Sequence, residues 1–323
     1  MTLLDAIRQA LFFEMTNDKN VIVYGLDIAT NGGVFRATDG LLNQFGSERV
    51  IDMPLAENTL SGMAVGMAMQ GLKPVVEFQF SGFIYAGIDQ IVSEATRMRN
   101  RSRGRLSCPI VYRAPYGGGI HAPEHHSESP EAILAHIPGL RVVIPSTPSR
   151  GYGLLLAAIR NPDPVVFLEP KRIYRAMKQN VMDDGQALPL DRCFLRRQGN
   201  DITLISWGAM LTETLEAADE LARNNIYADV IDVATIKPLD INTIIHSVEK
   251  TGYCIIIQEA PKTCGFASEI IAQLNEKIFY FLKAPIKRIT GFDTVMPYYA
   301  LEKYYLPTTE EIVKTAQMMI ENL

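Results

Sequence analysis

The sequence predicts an α/β protein of two domains, each built on a largely parallel sheet. Short β-branched runs alternate with longer helical patterns throughout, several of those runs are apolar without alternation, and 323 residues exceed what one typical core organises. An unbroken apolar run suits a strand covered on both faces by helices. Alternating strand and helix implies parallel strands joined by right-handed crossovers.

The elements follow in order. The opening MTLLDAIRQALFFEM has an amphipathic helical pattern with acids, unlike a signal peptide. Candidate strands lie at Val21–Tyr24, Val75–Phe80, Ile110–Arg113, Val142–Ile144 and Val165–Leu168. A second set lies at Ile202–Ser206, Ala228–Val233, Cys254–Gln258 and Ile286–Thr290. Ser129-Pro130-Glu131 places a cap, a first-turn proline and an acid ahead of a helix, and Thr147-Pro148 signals another helix start. Between the two sets, Lys171 to Gln198 is charged and aperiodic, so the domains are expected at 1–180 and 195–323 with a linker over 181–194. No repeat of 20 to 50 residues is visible.

Composition excludes some function classes. The net charge of −5 argues against nucleic acid, because no basic face could release many counterions. The one basic run, Arg97 to Arg105 with five arginines, reads as an interface or a solvated helix end. The four cysteines have no CxxC spacing, which indicates neither a zinc site nor a disulfide framework and fits a reducing compartment. No apolar run reaches membrane-spanning length. A bacterial-type cytoplasmic protein is the simplest expectation, and a mature mitochondrial protein would look the same.

Two segments can carry chemistry. In the first, Met53-Pro54-Leu55-Ala56-Glu57-Asn58 leads into a helix with Gly62, Ala64, Gly66 and Ala68 on its surface, so it can approach another backbone closely. Glu57 starts that helix. It either complements the helix dipole or is a partly buried carboxylate with a chemical task. The second, Arg113 to Ser127, follows a strand and contains Gly117-Gly118-Gly119 and three of the five histidines, His121, His125 and His126. It therefore lies at the carboxyl end of a sheet strand, where open α/β sheets bind ligands. Its glycines permit unusual backbone angles or close approach to a ligand, and its histidines suit proton transfer near neutral pH. Metal binding by the histidines with Glu124 or Glu128, and a purely structural loop, are the competing readings.

In order and spacing the chain resembles the β subunits of thiamine diphosphate-dependent 2-oxo acid dehydrogenases. The likeness covers nearly the whole chain. It runs through Gly32-Gly33-Val34-Phe35, Pro54-Leu55-Ala56-Glu57, Glu77-Phe78-Gln79-Phe80 with Phe83, Gly117-Gly118-Gly119 and His126-Ser127. It continues through Val143-Ile144-Pro145-Ser146, Asp163-Pro164-Val165-Val166 and Leu168-Glu169-Pro170-Lys171. Lys237-Pro238-Leu239-Asp240, Gln258-Glu259-Ala260 and Gly291-Phe292-Asp293-Thr294 complete it.

The resemblance implies a transketolase-like fold, with a pyrimidine-binding first domain and a smaller α/β second domain. It makes Glu57 the acid that hydrogen-bonds the cofactor's aminopyrimidine and favours the tautomer that deprotonates the thiazolium carbon. Phe83 would stack on the pyrimidine, with Leu55 and Gln79 beside the cofactor. His126 would serve acyl transfer to lipoamide; His125 falls at a variable position, and His121 matches a family position of less defined role. Ile110, Ala158, Ile159, Asn161 and Asp163 resemble a potassium site built from carbonyl and side-chain oxygens, although Asn161 stands where an aspartate is expected.

No Gly-Asp-Gly for magnesium and diphosphate occurs in the chain. The resemblance assigns that half to an α subunit, in an α2β2 heterotetramer with the cofactor between α and β. The second domain would dock the dihydrolipoyl acyltransferase core, whose lipoyl domain takes the acyl group. Substrate signals divide: Glu169-Pro170-Lys171 and Gly291–Thr294 lean to branched-chain 2-oxo acids and Gly117–Glu124 to pyruvate, with the balance slightly toward branched-chain acids. A pyruvate-specific or acetoin-type dehydrogenase subunit, a transketolase-like or deoxyxylulose phosphate synthase-like fragment, a scaffold subunit and a metallohydrolase are the alternatives.

Overall fold

The computed structural model describes residues 1–321 and contains two sheets. The first is formed by β1 (Val21–Gly25), β2 (Val50–Asp52), β3 (Lys73–Glu77), β4 (Val111–Tyr116), β5 (Arg141–Val143) and β6 (Val165–Pro170). The second contains β7 (Phe194–Arg197), β8 (Ile202–Ser206) and β9 (Ala228–Asp232). After β10 (Thr235–Lys237), it is completed by β11 (Cys254–Pro261) and β12 (Lys287–Gly291). Strand order in the first sheet is β10-β5-β6-β4-β3-β1-β2, all parallel except β10, which runs antiparallel to β5. The second sheet, β12-β11-β8-β9-β7, is parallel apart from the β7 edge. The first sheet thus takes its last strand from beyond the irregular linker.

The apolar runs are explained by helices on both faces. Helices Leu3–Asn17 and Pro148–Arg160 cover one face of the first sheet, where Leu3, Ile7 and Leu11 meet Val21, Val75 and Val165. Thr2 and Asp5 cap the first of these helices reciprocally. Helices Glu57–Met69 and Ile84–Ser93 cover the other face. That core continues without a break through Trp207, Ile231 and Ile256 into the second sheet, and on to helices Ile241–Thr251 and Ala267–Ile278. Helices Met210–Arg223 and Thr309–Glu321 close the far face of the second sheet.

All nine expected strands are present, with β3 ending at Glu77 instead of running to Phe80. Thr147 caps its helix as expected, its hydroxyl accepting from the Arg150 amide. Ser129 does not cap: the next helix, Glu131–Ala135, has Pro130 at its cap position, and the Ser129 hydroxyl donates instead to Glu259. Glu131 is no surface dipole acid but fully buried.

Candidate active site

Glu57, Gln79, Phe83 and His126 all follow the carboxyl ends of first-sheet strands: Glu57 comes after β2, Gln79 and Phe83 after β3, and His126 after β4. The strand order reverses around β1, so this rim is the switch point at which parallel sheets leave a crevice. Helices Glu57–Met69 and Ile84–Ser93 run side by side in the same direction, because Gly87 lies against Glu57 and Ser61 while Gly62 lies against Gln90. Their amino ends, carrying Glu57 and Phe83, are therefore neighbours. A Cβ on Gly87 would fall 2.8 Å from the Glu57 carbonyl oxygen and closer still to the Ser61 hydroxyl, so only glycine allows this approach.

Phe83 and His126 are brought together. The His126 ring meets Phe80 edge-on at 4.4 Å between centroids and Phe83 at 5.3 Å, and His125 lies 5.4 Å from Phe83. Burial lowers the pKa of His126, helped by the charges of His125 and Lys171 and opposed by Glu124. Its Nδ1 is buried without a partner among the described residues. Glu57 is half-buried, and its carboxylate hydrogen-bonds nothing among the described residues. Leu55, two residues before Glu57, is 64% exposed. Gln79 is half-buried in the turn after β3. An unpaired carboxylate, an aromatic edge and exposed apolar surface suit one end of a thiamine-type cofactor, whose heteroaromatic ring offers both donors and an apolar face.

The glycine loop does something the sequence did not reveal. Gly117 and Gly119 have φ of +80° and +85°, and the close approach is to the second domain. A Cβ on Gly117 would sit 1.8 Å from Glu259 Oε1. The Gly118 amide donates to Glu259 (3.2 Å), and Gly119 and His121 donate to Glu302 at 2.5 and 2.9 Å. Around this seam lie several buried ionisable groups. Lys171, directly after β6, is 3% exposed with an unpartnered ammonium; burial pushes its pKa down to about 8, against Glu259 and Glu302. Burial pushes Glu131 up to about 8, where it accepts from the Tyr116 hydroxyl (2.8 Å) and Trp207 Nε1 (3.2 Å). Deeper in, the Arg113 guanidinium bridges Glu77 (2.8 Å) and Glu169 (2.6 Å), and Tyr174 donates to Glu169. Those carboxylates outweigh the burial of Arg113 and hold its pKa above the ordinary range, while burial raises Glu77.

The histidines do not assemble a metal site. His121 lies 3.5 Å from Glu302, His125 faces Glu128 at 4.0 Å, and His126 is held between phenylalanines. Among the described residues no three His, Cys, Asp or Glu side chains gather around a point that could hold a metal. The potassium candidates lie at the opposite, amino-terminal edge of the sheet. There Asn161 Oδ1 accepts from the Asp163 amide at 2.9 Å, and Asp163 pairs with Arg99 at 2.6 Å. One oxygen of each side chain expected to hold the cation is thus engaged. The Ile110 and Ala158 carbonyls each already accept one amide, from Val165 and Asn161.

Sequence reasoning passed over Glu131, Lys171, Glu259 and Glu302 as functional candidates. Lys171 and Glu259 stood inside motifs quoted for the family, and Glu131 had a plausible helix-start role. Nothing local marked Glu302.

The pyrimidine-binding domain of transketolase matches residues 1–177, and the transketolase C-terminal domain matches residues 192–312. The chain is 46% identical over 321 residues to the pyruvate dehydrogenase E1 component subunit beta of Bacillus subtilis (strain 168), covering 99% of both chains. It is 48% identical over 312 residues to the protein of the same name from Acholeplasma laidlawii, covering 97% of this chain and 95% of the relative. A split gene transketolase, solved as an inactive beta4 tetramer, superposes with a TM-score of 0.82 at 22% identity, covering 99% of this chain and 98% of that one, which supports the transketolase-like fold. The chain belongs to the E1 β subunits of the thiamine diphosphate-dependent 2-oxo acid dehydrogenases, which take part in oxidative decarboxylation of 2-oxo acids.

Proposed function

We propose that this chain supplies the pyrimidine-activating and acyl-transfer half of a pyruvate dehydrogenase, and that an α subunit supplies the diphosphate and magnesium half. The observation that carries this reading is the convergence of the unpaired Glu57, Phe83 and His126 at one rim of a chain without a Gly-Asp-Gly motif. Bound thiamine diphosphate supplies the nucleophilic carbon and the electron sink for decarboxylation. Glu57 would share a proton with the aminopyrimidine, Phe83 would cover its face, and Leu55 and Gln79 would line its approach. His126, whose pKa is lowered by burial and by the charges of His125 and Lys171, would exchange a proton with the lipoyl sulfur during acyl transfer. The names of the relatives favour pyruvate over the branched-chain acids toward which Glu169-Pro170-Lys171 and Gly291–Thr294 lean.

The assembly proposed is an α2β2 heterotetramer docked on an acyltransferase core through residues 195–323, with residues 1–180 as the pyrimidine-binding domain and 181–194 as the linker. A cytoplasmic location fits the bacterial relatives; no helix among the described residues is long and apolar enough to cross a membrane. A potassium ion at the amino-terminal edge would rest on the carbonyls of Ile110, Ala158 and Ile159. If it binds there, melting in potassium chloride exceeds that in equimolar sodium chloride; equal melting removes the ion from the proposal.

The test of function is reconstitution with the cognate α subunit, comparing pyruvate with 2-oxoisovalerate. Pyruvate should be the better substrate, with a preference of about 10-fold or more, since a methylene or two is worth roughly 1–3 kcal/mol. The chain alone should give no turnover. Glu57→Ala should abolish decarboxylation in the assembled enzyme while leaving the circular dichroism spectrum intact. Full activity of that variant removes Glu57 from the mechanism.

A further inference from the structure

Glu302 lies on the short 302–304 turn of the second domain, far in sequence from every residue assigned to the site, and its side chain is 3% exposed. Its two carboxylate oxygens are divided between two amides of the histidine loop: Oε1 accepts from Gly119 at 2.5 Å and Oε2 from His121 at 2.9 Å. The His121 ring closes on Oε2 at 3.5 Å. These amides flank Ile120 and point to one side, forming a concave backbone surface suited to an anion. The loop has this shape because Gly119 and His121 both sit at positive φ, +85° and +61°. An L residue such as His121 keeps that conformation only where its surroundings impose it. Charge-assisted bonds shielded from water are strong enough to do so.

The neighbouring residues of the same segment reinforce the grip. Tyr299 meets the His121 ring edge-on at 4.3 Å, and Tyr298 is near enough to Glu124 to lower the pKa of its carboxyl. The other end of the loop is fixed to the first domain: the Gly117 amide donates to the Glu128 carbonyl (3.1 Å), and Ser81 Oγ donates to the same oxygen (2.9 Å). His126 lies between these two anchors, against Phe80 and Phe83.

We propose that Glu302 is a positioning residue for acyl transfer: it reaches from the second domain to set the loop that carries His126, without itself touching substrate or cofactor. The inference rests on the acyl-transfer reading of His126. Decarboxylation depends on Glu57 and the cofactor at the neighbouring helix ends, so the two half-reactions should separate.

The test uses the α-supplemented enzyme, with wild type, Glu302→Ala, Glu302→Gln and His126→Ala compared. Decarboxylation is read with an artificial electron acceptor, transfer with a lipoylated domain, and backbone amide exchange over residues 117–123 by mass spectrometry. In Glu302→Ala, exchange over 117–123 should rise at least about 10-fold, since the two amides lose their acceptor. Transfer should fall about 100-fold, the scale of a displacement near 1 Å, while decarboxylation stays within about 2-fold. Glu302→Gln, which keeps one acceptor oxygen, should recover part of the transfer rate. Equal losses in both half-reactions, or unchanged exchange in the loop, overturn the proposal. Wild-type transfer by His126→Ala would instead sink the role of His126, and the exchange data alone would then decide whether Glu302 holds the loop.

Discussion

Residue by residue, this molecule concentrates ionisable groups where water is absent, and each answers to a different partner. Arg113 is held charged by two carboxylates, whereas Glu131 has only neutral donors, Tyr116 and Trp207, and burial drives it toward the protonated form. Its folded pKa of about 8 lies above the ordinary 4.5, so its contribution to stability is complete below pH 4.5 and is lost as pH rises through 8. Glu131→Gln, which keeps an acceptor for both donors, should melt close to wild type at pH 5 and above it at pH 9. Thermal scans at the two pH values check this; a constant offset would mean that Glu131 stays ionised. His126 has the opposite sign. Its lowered pKa gives stability that is present above 6.5 and lost as pH falls. Residue chemistry of this kind was half-legible in the sequence. Glu57 and His126 stand in motifs, but the burial of Glu131 depends on Trp207, which is 76 positions away.

Elements were legible where they are long and buried. β8 and β11 are rich in isoleucine and leucine and are buried over five and seven consecutive residues, so sequence pattern and structure agree. The missed strands are three or four residues long: β2 has one buried residue, β7 carries Arg196 and Arg197, and β10 ends in Lys237. β7 and β10 owe their strand conformation to a neighbour met antiparallel at a sheet edge, which no local pattern encodes. The glycine loop shows the same limit. Its need for glycine was readable, yet its partners Glu259 and Glu302 lie 141 and 183 residues away. At the helix pair, Gly87 and Gly66 form a matched test. Gly87→Ala would strike Ser61 and the Glu57 backbone, whereas a Cβ on Gly66 meets nothing within 4 Å. Gly87→Ala should cost about 1–3 kcal/mol and weaken thiamine diphosphate binding in the assembled enzyme. Gly66→Ala should add about 0.5–1 kcal/mol and leave binding alone. Denaturant unfolding and cofactor titration distinguish them; equal behaviour would refute the close-packing role of Gly87.

For the whole molecule, the two domains share one apolar core from Ile22 and Tyr24 through Trp207 to Ile256 and Leu274, and they are also joined by β10, the glycine-loop amides and the Arg172–Glu213 pair. A seam of that kind should unfold as one unit. Calorimetry should give one transition with matching calorimetric and van't Hoff enthalpies; two resolved transitions would show the halves to be independent. The family's two-domain plan was evident from the chain, but the exchange of β10 across the seam was not. That exchange also bears on how the protein is made. A ribosome delivers the first sheet in order, yet the edge along β5 stays open until Thr235–Lys237 has emerged, and Glu302 arrives later still. A nascent or truncated chain therefore exposes a sticky strand edge and a slack histidine loop together. Only a fully synthesised chain closes that edge and holds the histidine loop in its finished shape.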